Sequence, residues 1–346
     1  MKKKIVILLK CIGILLLVFL VFRLFCPTWT PSIKGANSIS ELKKVAINDT
    51  ELTVMIRGAD KSNPVMLFVH GGPCCSEIPY VRKYQERLEE EFTVVHYDQR
   101  GSGKSYRFGT DYSAVTAVTH TEDLIALTEY ITEMLETEQV ILLGHSFGTY
   151  IATMAAAQRP DLYRAYVGIG QMSDTIASEL SCLEKCITAA EDVANEKDVA
   201  YLKGLGEIIA KGECITPRNY VRKYGFAGRK INETGDYLKG FLFGPEYNLT
   251  DMICFYTASI KYQDALVLEG LENPITEVVM ELNLPVYFVM GAYDGMTSPE
   301  TAEGYLKSIT GEGIKEFVLF EESAHYPQFE EEERFARWMV ETFGKR

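Results

Sequence analysis

A serine becomes a nucleophile when a base takes its proton and neighbouring side chains leave its hydroxyl exposed. The stretch VILLGHSFGTYIATMAAA places Gly144-x-Ser146-x-Gly148 between a buried-strand run and an Ala-rich helical run. Ser146 therefore sits on a sharp strand-to-helix turn, where glycine on either side avoids collision. Its base should be a histidine oriented by a carboxylate, and at turns of this kind the chain order is serine, acid, histidine. Of the five histidines (70, 96, 120, 145 and 325) only His325, in FEESAHYPQ, follows Ser146, which makes it the base. His145, beside the serine, reads as a packed or turn residue. Two aspartates follow strands that end on the same side of the sheet, Asp294 in VYFVMGAYDGMTSPE and Asp174 in VGIGQMSD. The helix start directly after Asp294 favours it, with Asp174 in reserve, although a helix cap or turn would account for either. The tetrahedral intermediate also needs two backbone N–H donors. Phe147, directly after the serine, supplies one, and Gly72 in LFVHGGPCC supplies the other, at a place where a side chain would block the acyl group.

A second glycine-rich stretch, YDQRGSGKSY (97–106), ends like a phosphate-binding loop. Counting back from Gly103-Lys104-Ser105, the position that such a loop reserves for its first glycine is Asp98, whose carboxylate repels phosphate. Nucleotide binding is thus not expected. The formal net charge is −13, and no basic cluster interleaved with aromatics occurs beyond the N-terminus, which argues against nucleic acid. The eight cysteines (11, 26, 74, 75, 182, 186, 214 and 254) follow no metal-ligand spacing. Adjacent Cys74 and Cys75 read as free thiols near a pocket, and Cys182 and Cys186 as packing on one helix face. The chemistry expected of Ser146 requires no metal and no cofactor.

The elements that must position these residues alternate. Apolar strand-like runs at 65–70, 92–97, 140–144, 165–169, 285–290 and 316–320 are interleaved with helical periodicity at 121–135, 147–158, 299–308 and 329–343. This is the pattern of an α/β fold, a mainly parallel sheet with helices on both faces. From 174 to 283 the strands vanish, and aromatics concentrate at 237–262, so this stretch reads as a helical cap inserted before the last strands. The expected organisation is residues 1–29 as a membrane anchor and flank, 30–173 with 284–346 as the core, and 174–283 as the cap.

The anchor expectation rests on residues 5–25, an apolar run broken only by Lys10 and Arg23. About 21 helical residues at ~1.5 Å each nearly cross a ~30 Å hydrocarbon core. A cleaved signal peptide would have a shorter apolar region and a small-x-small site, which Leu24-Phe25-Cys26-Pro27 lacks. Lys2, Lys3, Lys4 and Lys10 place the N-terminus in the cytoplasm and the rest of the chain outside. Asn-x-Thr sequons at Asn48, Asn232 and Asn248 matter only in a eukaryotic secretory pathway.

Taken together, His70-Gly-Gly-Pro73, Asp98-Gln-Arg-Gly-Ser-Gly103, Gly144-His-Ser-Phe-Gly148, Gly-x-x-Asp294 and Ser-Ala-His325 resemble the α/β-hydrolase fold and, within it, the proline iminopeptidase family. The resemblance covers about residues 60–173 and 284–343. It implies a serine hydrolase acting on a small peptide or acyl substrate through an acyl-enzyme, and it makes 98–103 a loop beside the oxyanion turn. It also implies cap carboxylates that hold the substrate's free amine, for which Glu213 and Glu246 are candidates. The sequence departs from the family at Cys74, where glycine is usual, and at Gly144-His-Ser-Phe-Gly148, where Gly-Gly-Ser-Trp-Gly is usual. The acyl chemistry therefore transfers more directly than a preference for N-terminal proline. An esterase or lipase, or a non-catalytic ligand-binding protein, would fit the same scaffold, whereas epoxide hydrolases and dehalogenases need a carboxylate where Ser146 stands.

Overall fold

The computed structural model describes residues 2–345. Met1 and Arg346, the outermost positions of the expected anchor and core, lie outside the described residues. An eight-stranded sheet runs in the order β1 (Ile39–Ile47), β2 (Thr50–Gly58), β4 (Thr93–Tyr97), β3 (Val65–Val69), β5 (Val140–His145), β6 (Tyr163–Ile169), β7 (Val286–Gly291) and β8 (Lys315–Phe320). From β4 through β8 neighbours pair in parallel. The β1–β2 hairpin is antiparallel and joins β4 antiparallel. This hairpin is absent from the sequence reading, because charged residues dilute the apolar alternation of ISELKKVAI and its turn lacks the usual glycine. Asn48 supplies the turn's positive φ, 49°, instead.

The strands read as unbroken apolar runs because both faces are covered. In β3, Val65, Leu67 and Val69 face one core with Leu124 and Leu127 of α2 (Ala117–Met134) and Ile151 and Ala155 of α3 (Phe147–Gln158). Met66 and Phe68 point the other way, toward Phe335 and Met339 on the opposite side of the sheet. Every parallel strand consequently ends at one edge, and the turns that follow are carried there together.

Between β6 and β7 the chain forms helices and adds no strand to the sheet. The longest are α4 (Thr175–Asp192), α5 (Glu233–Phe243) and α6 (Leu249–Glu272). Side chains cap all three: Asp174, Asn232 and Asn248 accept from the N–H groups of Ala177, Gly235 and Asp251 at 2.9, 2.9 and 3.0 Å. Two of the three sequon asparagines thus serve as helix caps, and the third is the hairpin turn. Tyr237, Phe241, Tyr247 and Phe255 of this segment pack with Ile78, Tyr80 and Phe329, seating it over the strand ends. All eight cysteines are free, and Cys182 and Cys186 are buried with Leu183 and Leu202, as expected of packing residues. At the other extreme, the N-terminal helix Lys2–Phe25 is long and apolar enough to cross a membrane, a property it shares with signal sequences, and its apolar middle is not buried against the chain.

Candidate active site

β5 ends at His145, and Ser146 turns the chain into α3 with φ 54° and ψ −126°. A non-glycine residue in that region costs about 1–3 kcal/mol and persists only where its surroundings enforce it. Here the Ser146 N–H donates to the Ile169 carbonyl at 3.0 Å, and the Ser146 carbonyl accepts from the Thr149 N–H at 2.8 Å. The turn packs against the chain after β3: a Cβ on Gly148 would come within 2.0 Å of the Val69 carbonyl oxygen. One on Gly71 would approach the Ser146 Cβ to 2.7 Å and the Phe147 nitrogen to 3.3 Å. Gly72, Ser146, Phe147 and His325 therefore share one cavity of about 750 Å³.

Asp294 and His325 follow β7 and β8. His325 Nδ1 donates to Asp294 Oδ2 at 2.8 Å, and both side chains are buried. The carboxylate also accepts from the N–H groups of Met296 and Thr297, at 2.8 and 3.0 Å, and from Thr297 Oγ1 at 2.9 Å. Burial raises the Asp294 pKa, but the attraction of His325 and these hydrogen bonds outweigh it and hold the group below the usual aspartate range. His325 Nε2 is buried with no hydrogen-bond partner among the described residues. With Nδ1–H directed at Asp294, that nitrogen is the basic one. Asp174, the reserve candidate, is exposed at its helix cap.

Three features of the site lie beyond the sequence reading. Gly170, with φ 55°, lets the chain leave β6 beneath the imidazole: a Cβ there would sit 2.8 Å from His325 Cε1. The IGQ stretch after a buried strand carries a visible glycine, but nothing in sequence tells which side chain it faces. His145 is a packed residue, as expected, yet its packing is specific. Its Nδ1 lies 2.6 Å from Glu77 Oε1, and its Nε2–H donates to the His325 carbonyl at 3.0 Å. Burial opposes charge on both Glu77 and His145, but their mutual attraction prevails, leaving the carboxyl below and the imidazole above its usual range.

The third feature is the support under the turn at His70–Pro73. Gln99 donates from its side chain to the His70 carbonyl at 2.7 Å and from its N–H to His70 Nε2 at 3.2 Å. Burial lowers His70 to about 4, so the ring is neutral, with Nδ1–H donating to the Gly71 carbonyl at 2.9 Å. Asp98 accepts from the Lys104 N–H at 2.6 Å and from the Tyr247 hydroxyl at 2.5 Å, and burial lifts its pKa to about 6. Lys104 itself pairs with Asp251 at 2.6 Å, so the Gly-Lys-Ser stretch serves as a fastening between the turn and the helical segment.

That segment supplies the other wall of the cavity. Glu179 is neutralised by Arg218 at 2.5 and 3.0 Å. The nearest ion-pair partner of Glu233, Arg222, stands at 3.7 Å, and Glu213 and Asp264 have no ion pair among the described residues. Of the two anticipated carboxylates, Glu213 lines the cavity. Glu246 lies outside it, buried and paired with Arg82 at 2.7 Å. Glu233 lines the cavity instead, and its sequence surroundings, the N-terminus of one solvated-looking helix among several, give no sign of this.

Residues 64–332 match the alpha/beta hydrolase fold family. The chain is 30% identical over 314 residues to the probable aminopeptidase YbaC of Bacillus subtilis (strain 168), covering 88% of this chain and 96% of that protein. It is 25% identical over 274 residues to the proline iminopeptidase of Heyndrickxia coagulans, covering 78% and 87%. The crystal structure of the Mycobacterium smegmatis proline iminopeptidase superposes with a TM-score of 0.61 at 17% identity, covering 88% of this chain and 97% of that one, a likeness of fold. Matched over most of its length in sequence and in fold, the chain belongs to the α/β-hydrolase superfamily, among its proline iminopeptidase-like members.

Proposed function

We propose that the protein is a serine aminopeptidase acting on short peptides. Ser146 attacks the scissile carbonyl while His325 Nε2 takes its proton, and Asp294 holds the imidazole in the required tautomer. The N–H groups of Gly72 and Phe147 receive the developing oxyanion. The protonated His325 then donates to the leaving amine, and a water deprotonated by the same ring releases the acyl group. The helical segment 174–283 acts as the cap. The observation that carries the choice of substrate is the cavity wall: Glu213, Glu233 and Asp264 face the cavity on its cap side, with Arg222 the only ion-pair partner among the described residues. A free α-ammonium group is the complement of such a wall.

The test compares aminoacyl arylamides with a free amine, their N-acetylated forms and short acyl esters. A site built around a buried polar contact rejects an analogue lacking it by up to ~10⁴-fold, whereas apolar size differences give ~10–200-fold. N-acetylation is expected to nearly abolish hydrolysis. Equal turnover of free and acetylated substrates would remove the aminopeptidase reading and leave a general esterase. A fluorophosphonate that fails to label Ser146 would leave a ligand-binding protein.

The same reading makes the N-terminal helix an uncleaved anchor, with the catalytic domain outside the cell, supported by the lysines at 2, 3, 4 and 10. Protease added to intact cells is expected to digest the chain beyond residue 30. Protection until lysis would refute this topology.

A further inference from the structure

The N-terminal helix, α1, spans Lys2–Phe25. Its one interruption near the far end, Arg23, is buried and donates to the carbonyls of Phe241, Gly244 and Tyr247 at 2.9, 2.8 and 2.6 Å. These are the last turn of α5 and the loop into α6, where unsatisfied carbonyls and the helix dipole favour a cation. Further bonds close the joint. Thr250 Oγ1 donates to the Leu24 carbonyl at 2.6 Å, Asn248 Nδ2 to the Cys26 carbonyl at 3.0 Å, and the Trp29 N–H to the Pro245 carbonyl at 3.0 Å. The Phe19 and Phe243 rings lie 6.0 Å apart. A flexible tether would need none of these contacts. They make α1 and the α5–α6 hairpin one unit.

The hairpin has two faces. Glu233, Tyr237 and Gln263 face the catalytic cavity. On the solvent side, Phe243 is 71% exposed beside the joint, and Ile253, Tyr256 and Ile260 follow along α6, the last of them 81% exposed. Their spacing of three and four residues puts them on one side of the helix, reaching about 10 Å beyond the first. Phe25, 78% exposed, and Trp29 stand where α1 leaves the domain. Exposed large apolar side chains grouped in this way mark an interaction surface.

We infer that this outward face of the α5–α6 hairpin rests on a lipid bilayer, so that the roof of the catalytic cavity is a membrane-contacting surface. The inference rests on reading α1 as a membrane span. Up to the clamped Arg23, the apolar stretch 5–22 of α1, broken only by Lys10, is about 27 Å long at ~1.5 Å per residue, close to a ~30 Å hydrocarbon core. Inserting it brings the surface clamped to its end to the headgroup level, where Trp and other aromatic rings are favoured. A bilayer therefore fits this face better than a protein partner, because the face is continuous with the span.

The full-length chain reconstituted into phosphatidylcholine–phosphatidylglycerol vesicles tests this. Ile260→Trp and, separately, Ile314→Trp are placed in a Trp29→Phe, Trp338→Phe background, with arylamide hydrolysis as the check on folding. Ile314 precedes β8 at the strand edge opposite the cap and is exposed. Lipids brominated near the top of the acyl chain are expected to quench the Ile260→Trp emission about twofold, since interfacial helices sink ~5–10 Å into the headgroup–acyl boundary, and to leave Ile314→Trp unchanged. In the unmodified chain, a photoactivatable phospholipid is expected to label α5–α6 and spare β8. If alkaline washing strips the protein from the vesicles, the membrane-span reading fails and the inference falls with it. Retention on the vesicles with equal emission from both variants and no label on α5–α6 overturns the inference alone. A blue-shifted but unquenched Ile260→Trp also overturns it, and assigns the face to a second copy or another protein.

Discussion

Ser146→Ala is expected to lower kcat by ~10⁴-fold or more on any substrate that the wild type cleaves, because the substitution removes the hydroxyl that the proposed mechanism uses to attack the substrate. The loss should fall on kcat and leave substrate binding nearly intact, since a missing hydroxyl opens the cavity slightly and removes no cap contact. Labelling by a fluorophosphonate should vanish in step. The measurement is steady-state hydrolysis beside probe labelling of the same preparation. Activity within about tenfold of wild type would end the serine-nucleophile assignment, because residual catalysis from binding and oxyanion contacts alone lies orders of magnitude lower.

Asp294→Asn should be nearly as damaging, by ~10⁴-fold in kcat. The amide can present N–H where the carboxylate accepted, so His325 would turn its other tautomer toward Ser146 and lose its basic Nε2. The four bonds that Asp294 accepts, two of them from the backbone N–H groups of Met296 and Thr297, would be partly reversed as well. Asp174→Asn is the internal control. Asparagine caps a helix as well as aspartate, so activity and stability should stay within about threefold of wild type. Equal losses in the two variants, or the reverse order, would move the orienting role to Asp174.

The parallel strands were legible in sequence because burial on both faces leaves a run of β-branched and aliphatic residues that little else produces. Ser146, His325 and Asp294 were legible as candidates because the turn picks out the serine and chain order narrows the partners, and the structure brings Asp294 to 2.8 Å from His325, which lines the same cavity as Ser146. What the sequence hid depends on contacts between distant segments. Gly170 looks like any loop glycine until the His325 ring lies above it. Glu77 and His145 are unremarkable until the fold brings them to 2.6 Å. Among the carboxylates of residues 174–283, Glu246 and Glu233 are equivalent in sequence, and only the packing buries one against Arg82 and turns the other toward the cavity. Arg23 was legible as an interruption of an apolar run, but its three carbonyl partners lie more than two hundred residues away.

The His145 ring has a dynamic consequence. It precedes Ser146 and donates to the His325 carbonyl at 3.0 Å, with the two imidazole centroids 4.9 Å apart. Two loops borne on different strands would ordinarily fluctuate independently, and the gap between their reacting atoms would vary with both. Here the hydrogen bond from His145 ties the His325 loop to the turn that carries Ser146. Proton transfer tolerates errors of only about 0.5 Å in such a gap. In the proposed mechanism this tie restrains the separation between the nucleophile and its base, whatever the motion of either loop.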